Sequence, residues 1–225
     1  MELYDAVVFV HVVLFVYWLG PDFGVYVASP FIVRPGTPLS ERVRFLTAMT
    51  RMAQLSRNCL ILLLPVGFWL AARVGLSSID GWPLAVICAG GAAWCAASVL
   101  MYRRAGTALA QLLAAADRAV RIGLIALLPA LAAWSLVTGA PLATPWLALK
   151  VLLFAFLLFN SLQQRAIALQ WRAALDRLRA AGEDAALAAE AEAVFARTAP
   201  RANLNAYLTW AASLAIAFLG VVKPG

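Results

Sequence analysis

Six apolar runs divide this chain of 225 residues, and each is long enough to cross a lipid bilayer as a helix. Hydrocarbon offers the backbone no hydrogen-bond partners, and a helix satisfies its own. The runs therefore predict an all-α fold, a polytopic transmembrane helical bundle. They cover approximately residues 4–29, 58–75, 83–102, 122–138, 145–164 and 203–222. Composition agrees, since 64% of residues are hydrophobic and only 13% charged, which no ordinary soluble domain shows. The first run has no basic segment before it and carries polar residues midway, so it reads as a retained helix rather than a signal peptide. Residues 1–225 are expected to form a single integral membrane domain.

The net charge of +7 raises the question of a nucleic-acid partner. The arginines, however, flank the apolar runs, where orientation in a membrane accounts for them. Segment 34–57 holds Arg34, Arg42, Arg44, Arg51 and Arg57 against Glu41 alone, and the next holds Arg103, Arg104, Arg118 and Arg121. A third basic segment, 165–201, falls on the same side, whereas the loops 77–83 and 138–145 contain no Lys or Arg. The expected setting is a bacterial inner membrane, with the lipid bilayer as partner, no nucleic acid, the basic segments in the cytoplasm and both termini periplasmic.

Those basic segments have helical periodicity. In 40–57 and 107–121 apolar residues recur at spacings of three and four, as in Leu109, Leu112, Leu113, Ala116 and Val120, which predicts helices lying at the interface or extending the next span. After the fifth span, Ile167, Trp171, Leu175 and Leu178 mark one face of a continuing cytoplasmic helix that Gly182 breaks. The acidic, Ala-rich stretch 183–196 predicts a second cytoplasmic helix returning to the last span, with Glu183, Asp184, Glu190 and Glu192 on a solvated face.

The chain also repeats itself. Residues 57–65, RNCLILLLP, align with 121–129, RIGLIALLP, and the same offset superposes Gly75 on Gly139 and Trp82 on Trp146. Spans two and three thus match four and five as hairpins of the same orientation, a pattern that duplication explains. Pro65 and Pro129 are expected to kink their helices and open space between them.

Function is sought where polar residues enter the apolar runs, because an ionisable group in hydrocarbon is costly. His11, the only histidine, lies seven residues before Trp18 and eleven before Asp22, so all three share one helical face. Lys150 sits about 8 Å from the outer end of span five and His11 about 10 Å from that of span one, at 1.5 Å per residue. If those helices are neighbours, His11 and Lys150 frame a cofactor or substrate between them. A neutral imidazole can ligate haem iron, and a lysine can contact a propionate or act as a second ligand. The plainer alternatives are a hydrogen-bonded interior histidine and a lysine that snorkels to the interface. Asp22 is expected at the level of Arg57, Arg121 and Asn160, either as a structural latch on an arginine, the favoured reading, or as a proton-passing group in a wet cavity. Asn160, Asn203 and Asn205 suit interhelical hydrogen bonds, and Trp18, Trp69, Trp82, Trp94, Trp134, Trp146 and Trp210 suit interface belts or packing. Cys59, Cys88 and Cys95 have no metal-type spacing.

His11 with Trp18 and Gly20, the segment 121–129, Pro145-Trp146-Leu147 with Lys150, and the ending Val221-Val222-Lys223-Pro224 resemble the HemJ-type membrane protoporphyrinogen oxidases, and more loosely the CopD-like copper-resistance membrane proteins. The resemblance covers about half of the chain in separated patches. Pro21-Asp22-Phe23-Gly24 stands where that family has aromatic and basic residues, and spans two and three form an added hairpin. The resemblance implies haem b held by His11 as axial metal ligand, with Trp18, Trp146 and Lys150 around the cofactor. Lys150 and Asp22 are the candidates for catalytic proton handling. The leading expectation is a redox protein that oxidises a porphyrinogen or exchanges electrons with a quinone. Two alternatives stay open: a copper or small-solute permease with His11 and Asp22 along its path, and a non-catalytic subunit or assembly factor that docks a partner or another copy of itself. Against copper, the four methionines, Met1, Met49, Met52 and Met101, form no cluster.

Overall fold

The computed structural model describes residues 2–182 and 184–224. Seven helices follow one another: α1 (Leu3–Ala28), a single turn α2 (Pro30–Val33), α3 (Leu39–Arg73), α4 (Gly81–Arg103), α5 (Ala108–Thr138), α6 (Pro145–Ala181) and α7 (Ala185–Val222). All but α2 are long and apolar enough to cross a membrane. The protein is an all-α polytopic bundle. Phe9, Val12, Val16, Leu127, Trp134 and Phe218 are each more than half exposed on its outside. Such a surface would be a liability in water and is what a bilayer solvates.

The helices run well past the apolar segments. At 1.5 Å per residue α6 and α7 are each roughly 55 Å long, against a hydrocarbon core of about 30 Å. The surplus gathers at the end of the bundle that carries the basic segments, called the basic end below. Segment 40–57 extends α3, 108–121 extends α5, and the acidic stretch is continuous with the last span as α7, passing through Pro200. Hydropathy falls where a helix leaves hydrocarbon, but its hydrogen bonds and apolar stripe continue. Gly182 ends α6 with a positive φ of 53°.

Two cores result. One fills the bundle, around Leu60, Leu63, Leu128, Leu157 and Leu158. A second lies at the basic end, where Ile32 and Met49 pack with Ile167, Trp171, Leu175 and Phe195. Arg42, 1% exposed, pins this second core: it pairs with Glu192 at 2.8 Å, donates to the carbonyls of Thr37 and Arg34, and lies over the Phe195 ring. Glu192 is therefore not simply part of a solvated face. Asp184 also has a specific task, accepting from the amides of Ala186 and Leu187 as the N-cap of α7. Glu183 lies outside the described residues.

The repeat is visible in the backbone. Gly75 and Gly139, matched in sequence, follow α3 and α5 with φ of 71° and 72°. Their two loops pair with each other, the Ser78 amide donating to the Pro141 carbonyl and the Ala143 amide to that of Leu76, each at 2.9 Å. Pro65 opens no gap toward α4. A Cβ on Gly91 would lie 2.7 Å from Pro65 Cγ, so the absent side chain lets α4 close against the ring. Gly90, one residue earlier, has nothing within 4 Å of such a position. Ala at either site gains the same helix propensity. Gly91→Ala should therefore lower stability by about 1–3 kcal/mol relative to Gly90→Ala, read as unfolding midpoints in neutral detergent; equal midpoints would contradict the close approach.

Candidate functional site

The polar stripe of α1 faces inward, as its spacing predicts. Trp18 and Asp22 are 5% and 9% exposed on a helix otherwise open to lipid. His11 is partly buried, and its imidazole lies against α3 at Gly67, where a Cβ would come within 3.5 Å of His11 Cε1. Its Nδ1 is buried and has no hydrogen-bond partner in the protein. An imidazole packed into an apolar bundle with a ring nitrogen unengaged is ready to meet a ligand, and is costly without one.

Lys150 is held in a comparable way on α6. Its Nζ lies 5.7 Å from the centre of the Trp146 ring, one helical turn earlier, and points at Gly220 of α7, where a Cβ would sit 2.8 Å from it. The helices of His11 and Lys150 are not direct neighbours: α1 packs on α3 and α7, and α6 packs on α3, α5 and α7. His11 and Lys150 therefore come from opposite corners of a four-helix ring, with α3 and α7 as its other two members.

Toward the basic end the ring widens into a cavity of about 450 Å³, a volume typical of small-molecule sites. Trp18, Asp22, Arg57, Arg121 and Arg165 all line it, whereas His11 and Lys150 do not. His11 is two turns, about 10 Å, from Trp18 along α1. The residues singled out by sequence thus divide between two places: His11, Lys150 and Trp146 nearer the termini, and Trp18 and Asp22 on the cavity wall.

Asp22 stands at the predicted level but does not latch an arginine. Among the described residues no arginine nitrogen lies within ion-pair distance of it; its buried Oδ2 stands by the indole of Trp210, whose Nε1 is likewise buried, short of a well-formed hydrogen bond. The latch is Asp117, which the sequence reading passed over. Asp117, 4% exposed, accepts from Arg121 Nε at 3.1 Å, from Arg165 Nη1, and from Trp94 Nε1 at 2.8 Å. Arg121 also donates to Ser161 and lies over the Trp94 ring. One carboxylate from α5 thus joins α4, α5 and α6, and Trp94 is part of a polar network rather than a membrane belt. The signal was present in the sequence: Asp117 and Arg121 are four residues apart on a helix.

The other polar residues serve interhelical contacts. Asn160 donates to the Asn205 carbonyl and to Thr209 Oγ1, Ser56 donates to the Trp18 carbonyl, and Gln54, Asn58 and Ser98 bond one another across α3 and α4. Among the described residues no three His, Cys, Asp or Glu side chains gather into a metal-type cluster, and the three cysteines are free thiols. No family model, curated protein or solved structure matches the chain. The meaning of the site rests on its own chemistry.

That chemistry separates the two aspartates. Asp117→Asn strands Arg121 and Arg165 without their shared anion and should cost about 3–5 kcal/mol of stability. Asp22→Asn removes no ion pair and should change the same unfolding midpoint far less; the reverse order would restore Asp22 as the latch.

Proposed function

We propose that this chain is a haem b-binding redox protein of the bacterial inner membrane, with its basic end in the cytoplasm and both termini periplasmic. The observation that carries the reading is His11: the only imidazole in the chain, turned into the bundle against a glycine, with a buried ring nitrogen that no protein group engages. A neutral imidazole is the usual axial ligand of haem iron, and the orphaned Nδ1 leaves this ring uncommitted to a protein partner.

The other residues fit the same group. Lys150 brings a cation to the far corner of the ring, suited to a propionate or to a second ligand position, and Trp146 fixes its direction. Haem, when bound, supplies one-electron chemistry that no side chain of this chain offers. The chain's own part is to hold and shield. Leu14 and Phe15, one turn along α1 from the imidazole, pack against the apolar core of the bundle. Oxidation of a C–H or N–H substrate such as a porphyrinogen, or of a quinol, also releases protons. Asp22, with a buried oxygen free of partners and the cavity beside it, is the group placed to accept one.

The test is the absorption spectrum of protein purified after haem-replete expression. Wild type should show a Soret band at near one haem per chain, His11→Ala should lose it, and Asp22→Asn should keep it while losing turnover. A wild-type protein without the band, or a His11→Ala variant that retains it in full, would refute the assignment.

A further inference from the structure

The cavity at the basic end has a charge imbalance that haem at His11 does not explain. Four arginines, Arg57, Arg121, Arg165 and Arg172, line it against one carboxylate, Asp22. Asp117, behind the wall, is already shared by Arg121 and Arg165. Arg172 and Arg57 have no such partner; Arg172 is exposed and reaches Thr50 Oγ1, which leaves Arg57 as the half-buried one. Its guanidinium has five donors, yet among the described residues its one hydrogen bond is from Nη1 to Gln54 Oε1 at 3.4 Å, and no carboxylate is within 4.0 Å. Arg121 and Arg165 stand on the same cavity wall, with Asp117 offsetting part of their charge. A half-buried guanidinium that lines a cavity beside two others is a natural place for an anion. The planar fork of arginine is matched by a carboxylate or phosphate, which it binds through paired hydrogen bonds.

The rest of the wall carries neutral polar side chains such as Gln164 and Thr209 together with an apolar strip of Leu60 from α3, Leu157 and Ile167 from α6, and Ala206 from α7. An inorganic anion would use the arginines and leave this surface idle. Asp22 adds a negative charge to the same space, which disfavours ligands with anionic groups spread along their length. We propose that the cavity binds an amphipathic acid whose single oxyanion head sits on Arg57, supported by Arg121 and Arg165, and whose apolar tail runs along Leu60, Leu157 and Ala206. The repeat supports the placing of the head. Arg57 and Arg121 are equivalent positions of the two hairpins, so duplication brought two guanidiniums to one cavity while only the second copy has an aspartate one turn before it. The ligand is either a membrane lipid with an anionic head or a diffusible long-chain acid, and both present the same chemistry to Arg57.

The probe is undecanoic acid with a dansyl group on its far end, titrated into the full-length protein in neutral detergent and read by fluorescence. The acid should bind at least tenfold more tightly than its methyl ester, which keeps the tail and removes the charge. Arg57→Gln should weaken the acid at least tenfold and leave the ester unchanged, with Arg57→Lys between. Displacement by phosphatidylglycerol but not phosphatidylcholine points to the lipid source, and displacement by decanoate alone to the diffusible one. Equal binding of acid and ester by the wild type would overturn the proposal, as would undiminished acid binding by Arg57→Gln. The acid–ester comparison decides the matter even if that variant fails to fold. The inference does not rest on haem: His11→Ala should bind the probe as the wild type does.

Discussion

One carboxylate holds the bundle's polar centre together. Without Asp117, the guanidiniums of Arg121 and Arg165 would face each other and Arg57 in a medium that screens them poorly. With it, three helices meet at one charge-assisted network that also takes up the indole of Trp94 and the hydroxyl of Ser161. Dispersion and small-residue contacts hold helices together in lipid without much preference for register. A network with directional bonds fixes which residue of α5 meets which residue of α6. That register in turn decides which side chains of α6 line the cavity.

The bundle divides labour between its two ends. Toward the termini stand His11 and Lys150, each beside a glycine on the adjacent helix. Toward the basic end the ring opens around Trp18, Asp22 and the arginines. α1 contributes to both through a single stripe, because a period of 3.6 returns His11, Trp18 and Asp22 to one face. A small ionisable group is tolerated in each place for a different reason: the imidazole by packing, the arginines by a shared anion.

Much of this was legible in sequence. Apolar run length gave the six spans, and the spacing in α1 gave its inward face. The matched Gly75 and Gly139 marked the repeat that the loop pairing bears out. What was not legible depended on contacts between distant segments. Hydropathy shortened α3, α5, α6 and α7, since it measures the solvent around a helix and not the helix itself. Asp22 was assigned the latch because its depth matched the arginines, but depth does not determine direction around the bundle. Asp117 was hidden among the charges of a basic segment, though its spacing to Arg121 announced a pair. Glu192 offered no local sign at all, because its partner Arg42 belongs to another helix near the opposite end of the chain.

That last contact constrains how the protein is made. Arg42 leaves the ribosome early, in the segment that leads into the second span, and Glu192 emerges only after five spans have been synthesised. Until then the head of α3 has neither its counter-charge nor Phe195 to cover it, and its apolar stripe must rest on the lipid headgroups. The head of α3, early in the chain, is thus completed by a residue that follows five of the six spans.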